Sequence, residues 1–586
     1  MSALFRGTSA ASKRVFMLAR RHWLIIVSLV VVAAGFRVAV VHWLPNDSAD
    51  DGLGYAQIAR NVLEQHVYSH ATEAPFDPSY VRLPGYPLFL AGVYSVFGHT
   101  NNSAVRIAQA LIDAGTCALV AWLAFLWQPD ERRKIATAIA ACALAAVNPF
   151  TTIYAATILT EVPATFLIVA ACVAATIAFQ SDKFERELRC WTISGLLLGV
   201  GVLFRPDVGL VAASLGITLV VARFRLFGIA PSGGSPKGGT PEQSRRSALS
   251  LRSKLSRIIL AGAVFSFAFA LALAPWTIRN WRTFHVFQPL APQHAEMPGD
   301  FVMLGYEGWL KTWMTDGEFL DNLMWDLDKN QIDTDDLPDS AFDSQAERDR
   351  VSDLFDQYNA GDDNSTDENE EPEAASSPSP SPDQSANKGQ AAKANKNDNS
   401  NDEEDAPDNE SNGDQDNKTN NDQPPKVGTM TPEIDAGFAQ IANERIARHP
   451  LRYYLVLPAR RAHALWFNTH SDFYPFSGNA LPLNNPDNSR AQNFWLPVFA
   501  VVVAIYTLLG VAGFVWMGMS GSFYAREVML LIFLIFATRL ALFSMAVSVE
   551  PRYVVEFFTF LSALGGFAIV EGWMRLRRNR HLSVSQ

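Results

Sequence analysis

Two adjacent carboxylates, Asp50 and Asp51, stand just after the first long apolar run of this chain, and a third, Glu161, opens a later run in LTEVPATFL. Carboxylates at such mouths can take or hold a proton while a group is transferred to an acceptor hydroxyl. Arg82, Arg279 and Arg552 also stand at the ends of apolar runs, and a guanidinium matches the geometry of phosphate oxygens. Each residue has an ordinary role as well. Asp50 or Asp51 suits a helix N-cap, and Glu161 with Pro163 is a common helix start. Boundary arginines often only lift their heads into water, and Glu550 beside Arg552 can form a local ion pair. Sidedness is what makes them a set.

The elements that must position them are apolar runs near 23–43, 104–127, 134–150, 161–180, 190–205, 207–222, 257–276, 494–518, 527–547 and 553–573. About 20 apolar residues cross a hydrocarbon layer of roughly 30 Å. The fifth run is the shortest and meets Arg205-Pro206-Asp207 at once. The basic N-terminus (Arg6, Lys13, Arg14, Arg20, Arg21) and an apolar run too long for a cleaved leader predict an uncleaved first span starting in the cytoplasm. Alternation then puts the basic stretches at Arg132 to Lys134, at Lys183, Arg186 and Arg189, at 223–257 and at the Arg575, Arg577, Arg578 and Arg580 tail on that same side. Both termini are therefore expected in the cytoplasm of a cell-membrane protein. Asp51, Glu161, Arg82, Arg279 and Arg552 share the outer face.

Between the spans, Tyr55, Ile58, Ala59, Val62 and Leu63 recur at helical spacing after the paired acids, which predicts a juxtamembrane helix in the first outer loop. The large loop at 277–493 has a different composition from the rest. Residues 315–425 hold 32 Asp and Glu against 7 Lys and Arg, whereas the whole 586-residue chain, 49% hydrophobic, carries only −11. The remainder is thus net basic, and the acidity belongs to one insert. From about 355 to 430 apolar residues are nearly absent, so disorder is expected there. Helical order is expected again where Ile434, Phe438, Ile441 and Ile446 recur. The fold class is an all-α polytopic membrane protein of about ten spans with a large outer loop. Its parts are a basic cytoplasmic N-terminus at 1–22, a membrane module at 23–276 whose first outer loop is 44–103, the outer loop at 277–493, a C-terminal membrane module at 494–573 and a tail at 574–586.

Cys117, Cys142, Cys172 and Cys190 all lie in or beside apolar runs without CxxC spacing, so they read as small packing residues. Arg37, Asp113 and Arg539 fall within spans, where charges face a bundle interior or cavity, and they are expected to pair with one another or border it. There is no Walker-type phosphate loop, no GxGxxG after a strand and no HExxH. A soluble nucleotide or ATP site is not visible.

Taken in order, Asp51-x3-Tyr55, AQIARNVLEQHVYS, RLPGYPLFLAGVYSVFG, SAVRIAQALID, LTEVPATFL, GVGVLFRP, APWTIRN, ARHPLRYY and EPRY resemble the membrane glycosyltransferases of the GT-C fold. The resemblance is to the bacterial branch related to protein O-mannosyltransferases and aminoarabinose (lipid A) transferases, and it covers most of the chain outside the acidic insert. It implies a sugar donor linked to a polyprenyl phosphate and used on the outer face, with displacement at the anomeric carbon. It also implies that Asp51 is the catalytic aspartate of the first loop, that Glu161 is the second acid, and that Arg279 sits on the lipid-phosphate side. Asp50, Tyr55, Arg82 and Arg552 complete the expected substrate-binding set. No cofactor is fixed by the resemblance, with a divalent cation the one to test. The expected partners are the lipid donor, membrane lipid and an unidentified acceptor (lipid, envelope glycan or protein), without nucleic acid.

Two readings from other classes compete. A polytopic transporter predicts inverted repeats and interrupted helices meeting at the midplane, and no repeat is visible between the halves. A non-catalytic membrane scaffold would use the acidic outer loop to hold a partner.

Overall fold

In a computed structural model, residues 10–45, 50–225, 241–361 apart from 295, 298 and 328, 428–520 apart from 482–485 and 487, and 523–584 are described. Their regular elements are all helices, with no strand among the described residues. The first half holds α1 (Ala10–Trp43), α2 (Asp50–Glu64), α3 (Gly85–Phe97), α4 (Asn102–Trp127), α5 (Lys134–Ala146), α6 (Pro149–Ala156), α7 (Glu161–Phe179), α8 (Phe184–Phe204), α9 (Val208–Arg225) and α10 (Pro241–Phe284). The middle part follows as α11 (Leu304–Leu310), α12 (Gln345–Ala360), α13 (Pro432–Arg448) and α14 (Leu457–Phe467). The chain closes with α15 (Arg490–Met519), α16 (Phe523–Ser544) and α17 (Phe557–Val584).

Seven of the described helices are long and apolar enough to cross a membrane, and eight if α5 and α6, bent by 52°, count as one span. All ten expected runs fall on helices. Three do not meet the length and apolarity of a span by themselves: α5 passes only together with α6, α8 spends its first turns on Glu185, Arg186, Glu187 and Arg189, and the apolar part of α9 is short. The chain is nonetheless a multi-pass membrane protein. The acidic segment at 362–427 and residues 226–240 of the basic stretch at 223–257 lie outside the described residues.

Local chemistry explains the breaks that shape the site. Asn148 accepts from the backbone N–H groups of Phe150 and Thr151, with Pro149 in the first turn, so α6 restarts at a new angle. The Ala145 carbonyl receives only turn contacts, from Asn148 N at 3.5 Å among them, and Arg37 adds a partner for it and for Ala146. Its guanidinium donates to Ala145 O and Ala146 O, both at 3.1 Å, and pairs with Asp113 at 2.5 Å. This is the expected pairing of Arg37 with Asp113, deep among α1, α4 and α5. Pro206 forces Arg205 into an extended conformation, which ends α8 and starts α9 within three residues.

Close approach holds α8 in place. A Cβ added at Gly199 would lie 2.5 Å from Phe269 O on α10, and one at Gly85 would lie 2.5 Å from Leu203 O. Small residues at such contacts let helix backbones pack where lipid offers no hydrophobic drive. The second contact pins the start of α3, and with it Arg82, against the end of α8.

The helix α10 runs two turns past the expected end of its span, to Phe284, with Pro275 inside it. Arg279 therefore sits on a helix and not in a loop. Outside the membrane helices, Tyr306, Trp309, Phe355 and Phe438 form the core of a separate helical layer of α11 to α13. Its rim is ionic. The buried Arg445 pairs with the buried Glu347, and Asp343 receives Arg445 at 3.2 Å and Arg452 at 3.0 Å. The four cysteines are free, three of them buried.

Candidate functional site

Four of the five residues singled out for sidedness, Asp51, Glu161, Arg82 and Arg552, gather at a cavity of about 450 Å³ whose lining includes Asp51, Tyr55, Glu161, Arg205, Asp207 and Arg552. Asp51 lies in the first turn of α2 and holds one arginine on each oxygen. Arg82 Nη2 is 2.9 Å from Oδ1, and Arg552 Nη1 donates to Oδ2 at 3.1 Å. Arg552 also pairs with Glu550 at 2.6 Å, and the Tyr553 hydroxyl donates to Glu550 at 2.6 Å. The pair suspected between Glu550 and Arg552 thus coexists with a long-range one. Arg82 sits 5.6 Å above the Tyr55 ring, which is set edge-on to Tyr86. Burial and the nearby Asp51 push the Tyr55 phenol up, keeping it a neutral donor.

Glu161 opens α7 and is almost fully buried. Its Oε1 receives Arg205 Nη1 at 2.5 Å, while Oε2 has no hydrogen-bond partner. Arg205 is shared, lying 3.2 Å from Asp207 and 3.9 Å from Glu556. Arg539 closes the far side through Glu556 at 3.0 Å and an ion pair with Asp207. Charges this deep persist only when paired and hydrogen-bonded, so the network fixes where Glu161 can point. Arg539 therefore pairs in this network and not with Asp113.

The sequence reading placed three arginines with the acids, and the structure brings only two of them there. Arg279 lines a second cavity of about 540 Å³ with Tyr68, Trp276 and Pro275. Asp50 is the first residue of α2, and its side chain lies outside the described residues. Four network residues were missed as site residues. Arg205 and Asp207 looked like a turn, Arg539 was grouped with Arg37 and Asp113, and Glu556 is a lone acid inside an aromatic run. The signal available was that each is an ionisable residue in or beside an apolar run, which is costly without a partner.

A fifth missed residue is Asp472, in the connection between α14 and α15. His470 and Phe473 on either side take positive φ values of 51° and 65°, a conformation rare for side chains of this size. Burial and the neighbouring Glu550 push the Asp472 carboxyl up to about 6, against the pull of Arg552. Burial brings the His470 imidazole down to about 4.

The carboxylates do not form a cation site as they stand. Both Asp51 oxygens and Glu161 Oε1 face guanidinium groups. No group of three or more His, Cys, Asp or Glu among the described residues converges as metal ligands.

Residues 78–228 match the family described as dolichyl-phosphate-mannose-protein mannosyltransferase. That stretch includes Arg82, Glu161, Arg205 and Asp207. No curated protein matches the chain. Among solved structures, the apo oligosaccharyltransferase of Archaeoglobus fulgidus is 12% identical, with 96% of this chain and 52% of that one covered and a TM-score of 0.46. The AglB oligosaccharyltransferase of the same organism, in complex with an inhibitory peptide and a dolichol-phosphate, is 11% identical, with coverages of 97% and 52% and a TM-score of 0.44. ArnT of Cupriavidus metallidurans bound to undecaprenyl phosphate is 13% identical, with coverages of 93% and 78% and a TM-score of 0.31. The chain spans about half the length of the oligosaccharyltransferases. Its resemblance to the GT-C membrane glycosyltransferases is thus matched by a family over residues 78–228, within the first membrane half.

Proposed function

We propose that this protein is an integral membrane glycosyltransferase that moves a sugar from a polyprenyl-phosphate-linked donor to an acceptor on the outer face of the membrane. The observation that carries the reading is the convergence of Asp51, Glu161, Arg82 and Arg552 at one cavity. On this reading α8 and α9 complete ten crossings, both termini are cytoplasmic, and the cavity opens on the outer side. The lipid tail of the donor stays in hydrocarbon while its phosphate meets the arginines.

In the reaction the acceptor oxygen or nitrogen attacks the anomeric carbon, and the bond from that carbon to the phosphate oxygen breaks. Polyprenyl phosphate leaves with the electron pair, and the acceptor proton passes to Asp51. As found, both Asp51 oxygens are occupied by arginines, so neither is free to meet an acceptor. Donor binding relieves this. A phosphate reaching Arg82 and Arg552 competes with Asp51 for both guanidiniums, so the carboxylate is released where the acceptor arrives. The arginines then stabilise the charge that develops on the leaving phosphate. Glu161, clamped by Arg205, keeps Oε2 free to hold a sugar hydroxyl. Asp50 and Tyr55 are assigned to substrate contact beside Asp51.

The test is transfer of labelled sugar from a polyprenyl-phosphate donor by the purified full chain, with and without D51N. Normal transfer by a folded D51N protein overturns the assignment. Movement of the lipid donor across a vesicle membrane without covalent transfer favours the transporter.

A further inference from the structure

Arg461, in α14, is a cation only 2% exposed, and among the described residues no carboxylate pairs with it. Its fork of donors takes three backbone carbonyls instead: Lys311 O at 2.5 Å, Met314 O at 2.9 Å and Ser544 O at 3.5 Å. Lys311 caps α11 and Met314 follows shortly after it, whereas Ser544 is the last residue of α16. A buried guanidinium holds its place only where its donors are satisfied. Arg461 thus fastens the end of α16 to the layer of α11 to α13, yet it lines neither the carboxylate cavity nor the one at Arg279.

The chain that leaves Ser544 builds one wall of the carboxylate site. Val547 is buried in the core of that same layer, and a Cβ added at Gly317 would lie 3.5 Å from Val549 O. Glu550 and Arg552 come next. Tyr553 then returns to α16, stacked on Phe543 at 4.6 Å, with its hydroxyl 2.9 Å from Ser548 Oγ. The stretch 545–552 therefore starts and ends on α16, with Val547 in the layer and Arg552 3.1 Å from Asp51. A displacement of about 1 Å at a reacting centre is enough to change how it binds and reacts. We propose that Arg461 is a positioning residue for Arg552: by tying α16 to the layer, it sets the reach of Arg552 to Asp51 and to the donor phosphate. This rests on the transferase reading above and makes the layer part of the donor site's geometry.

Binding of polyprenyl phosphate to the full chain in detergent tests this apart from transfer. R461Q should weaken binding by about tenfold, the loss of one charge-assisted contact. R461K keeps the charge but not the fork, so it should bind between R461Q and the parent. V547A loosens the same stretch from its other anchor and should give a similar loss with Arg461 intact, which serves if R461Q does not fold. The deciding measurement repeats R461Q and V547A in an R552Q background. If Arg461 acts through Arg552, neither change should weaken R552Q further, whereas a general loosening of the fold would lower it by the same factor again. Unchanged binding in both single variants overturns the proposal, as does an undiminished loss in the R552Q background. Losses that depend on Arg552 in a protein that transfers no sugar refute the transferase reading and leave the positioning role standing.

Discussion

Asp51 and Arg552 lie 501 residues apart in the chain and 3.1 Å apart in space. One lies in the first turn of α2 and the other precedes α17, so the site forms only when the two membrane halves are packed. Helices α5 and α17 make that closure. A Cβ added at Gly566 would lie 2.6 Å from the Ala141 backbone nitrogen. Anything that separates these helices separates Asp51 from Arg552 before it disturbs either residue locally.

The first prediction concerns Asp51 as proton acceptor. D51N keeps size and one acceptor oxygen but cannot take a proton, so transfer should fall by about 10² to 10⁴. Donor binding should hold or strengthen, because Arg82 and Arg552 no longer have a carboxylate to leave. Initial rates of label transfer and equilibrium binding of polyprenyl phosphate measure the two effects. A matching loss of donor affinity would place Asp51 on the donor and not on the acceptor.

The second concerns Arg205, one cation between Glu161, Asp207 and Glu556. R205M strands buried carboxylates, and removing one partner from a buried pair costs about 3–5 kcal/mol. The double variant R205M/E161Q should recover part of that loss, since it removes one stranded charge. Chemical unfolding in detergent reads both. If R205M is as stable as the parent, Arg205 is not what holds Glu161.

These contacts mark where the sequence was legible. Asp51, Glu161 and Arg552 could be grouped because charge alternation puts them on one face, and sidedness is a property of the chain order. The helix α2 and the helix at 432–448 were readable from their periodicity. Arg279 passed the same sidedness test yet belongs to another cavity, because two residues on one face can still be separated by a helix end. Here α8 ends between them, with Leu203 facing one side and Phe204 the other. Glu556 and Arg539 were not legible as partners, since a single charge in an apolar run says that a partner exists and not which one.

The third prediction is a pH signature of the connection between α14 and α15. The Asp472 carboxyl is raised from its usual value to about 6, so the folded protein binds a proton that the unfolded chain has released. Its contribution is present below about pH 4 and is lost as pH rises to 6. His470, brought down to about 4, acts oppositely: its contribution is present above about pH 6.5 and is lost as pH falls to 4. The two partly cancel in the parent protein. D472N should unmask the histidine, so its melting temperature should climb more steeply between pH 4 and 6.5 than the parent's. Parallel curves would mean that Asp472 titrates normally.

The fourth concerns the acidic segment. The chain leaves the described outer layer at Gly361 and returns at Gly428, and both ends are tied to the same place. The Tyr358 carbonyl accepts from Gly361 N at 3.2 Å and from Thr429 N at 3.1 Å, and a Cβ at Gly428 would lie 2.3 Å from the Tyr358 ring. A connection that starts and ends at one residue can be shortened without moving α12 or α13. Replacing 362–427 by a Gly-Ser linker of about four residues should leave the outer layer folded and stabilise it by about 2 kcal/mol, because a shorter loop costs less entropy to close. Sugar transfer should persist, since Asp51, Glu161, Arg82 and Arg552 all lie outside the segment in sequence. Calorimetry and the transfer assay decide it together. A folded, stabilised variant that no longer transfers would show that the segment captures the acceptor or guides it to the site, and would revive the scaffold reading as a second role for the same chain.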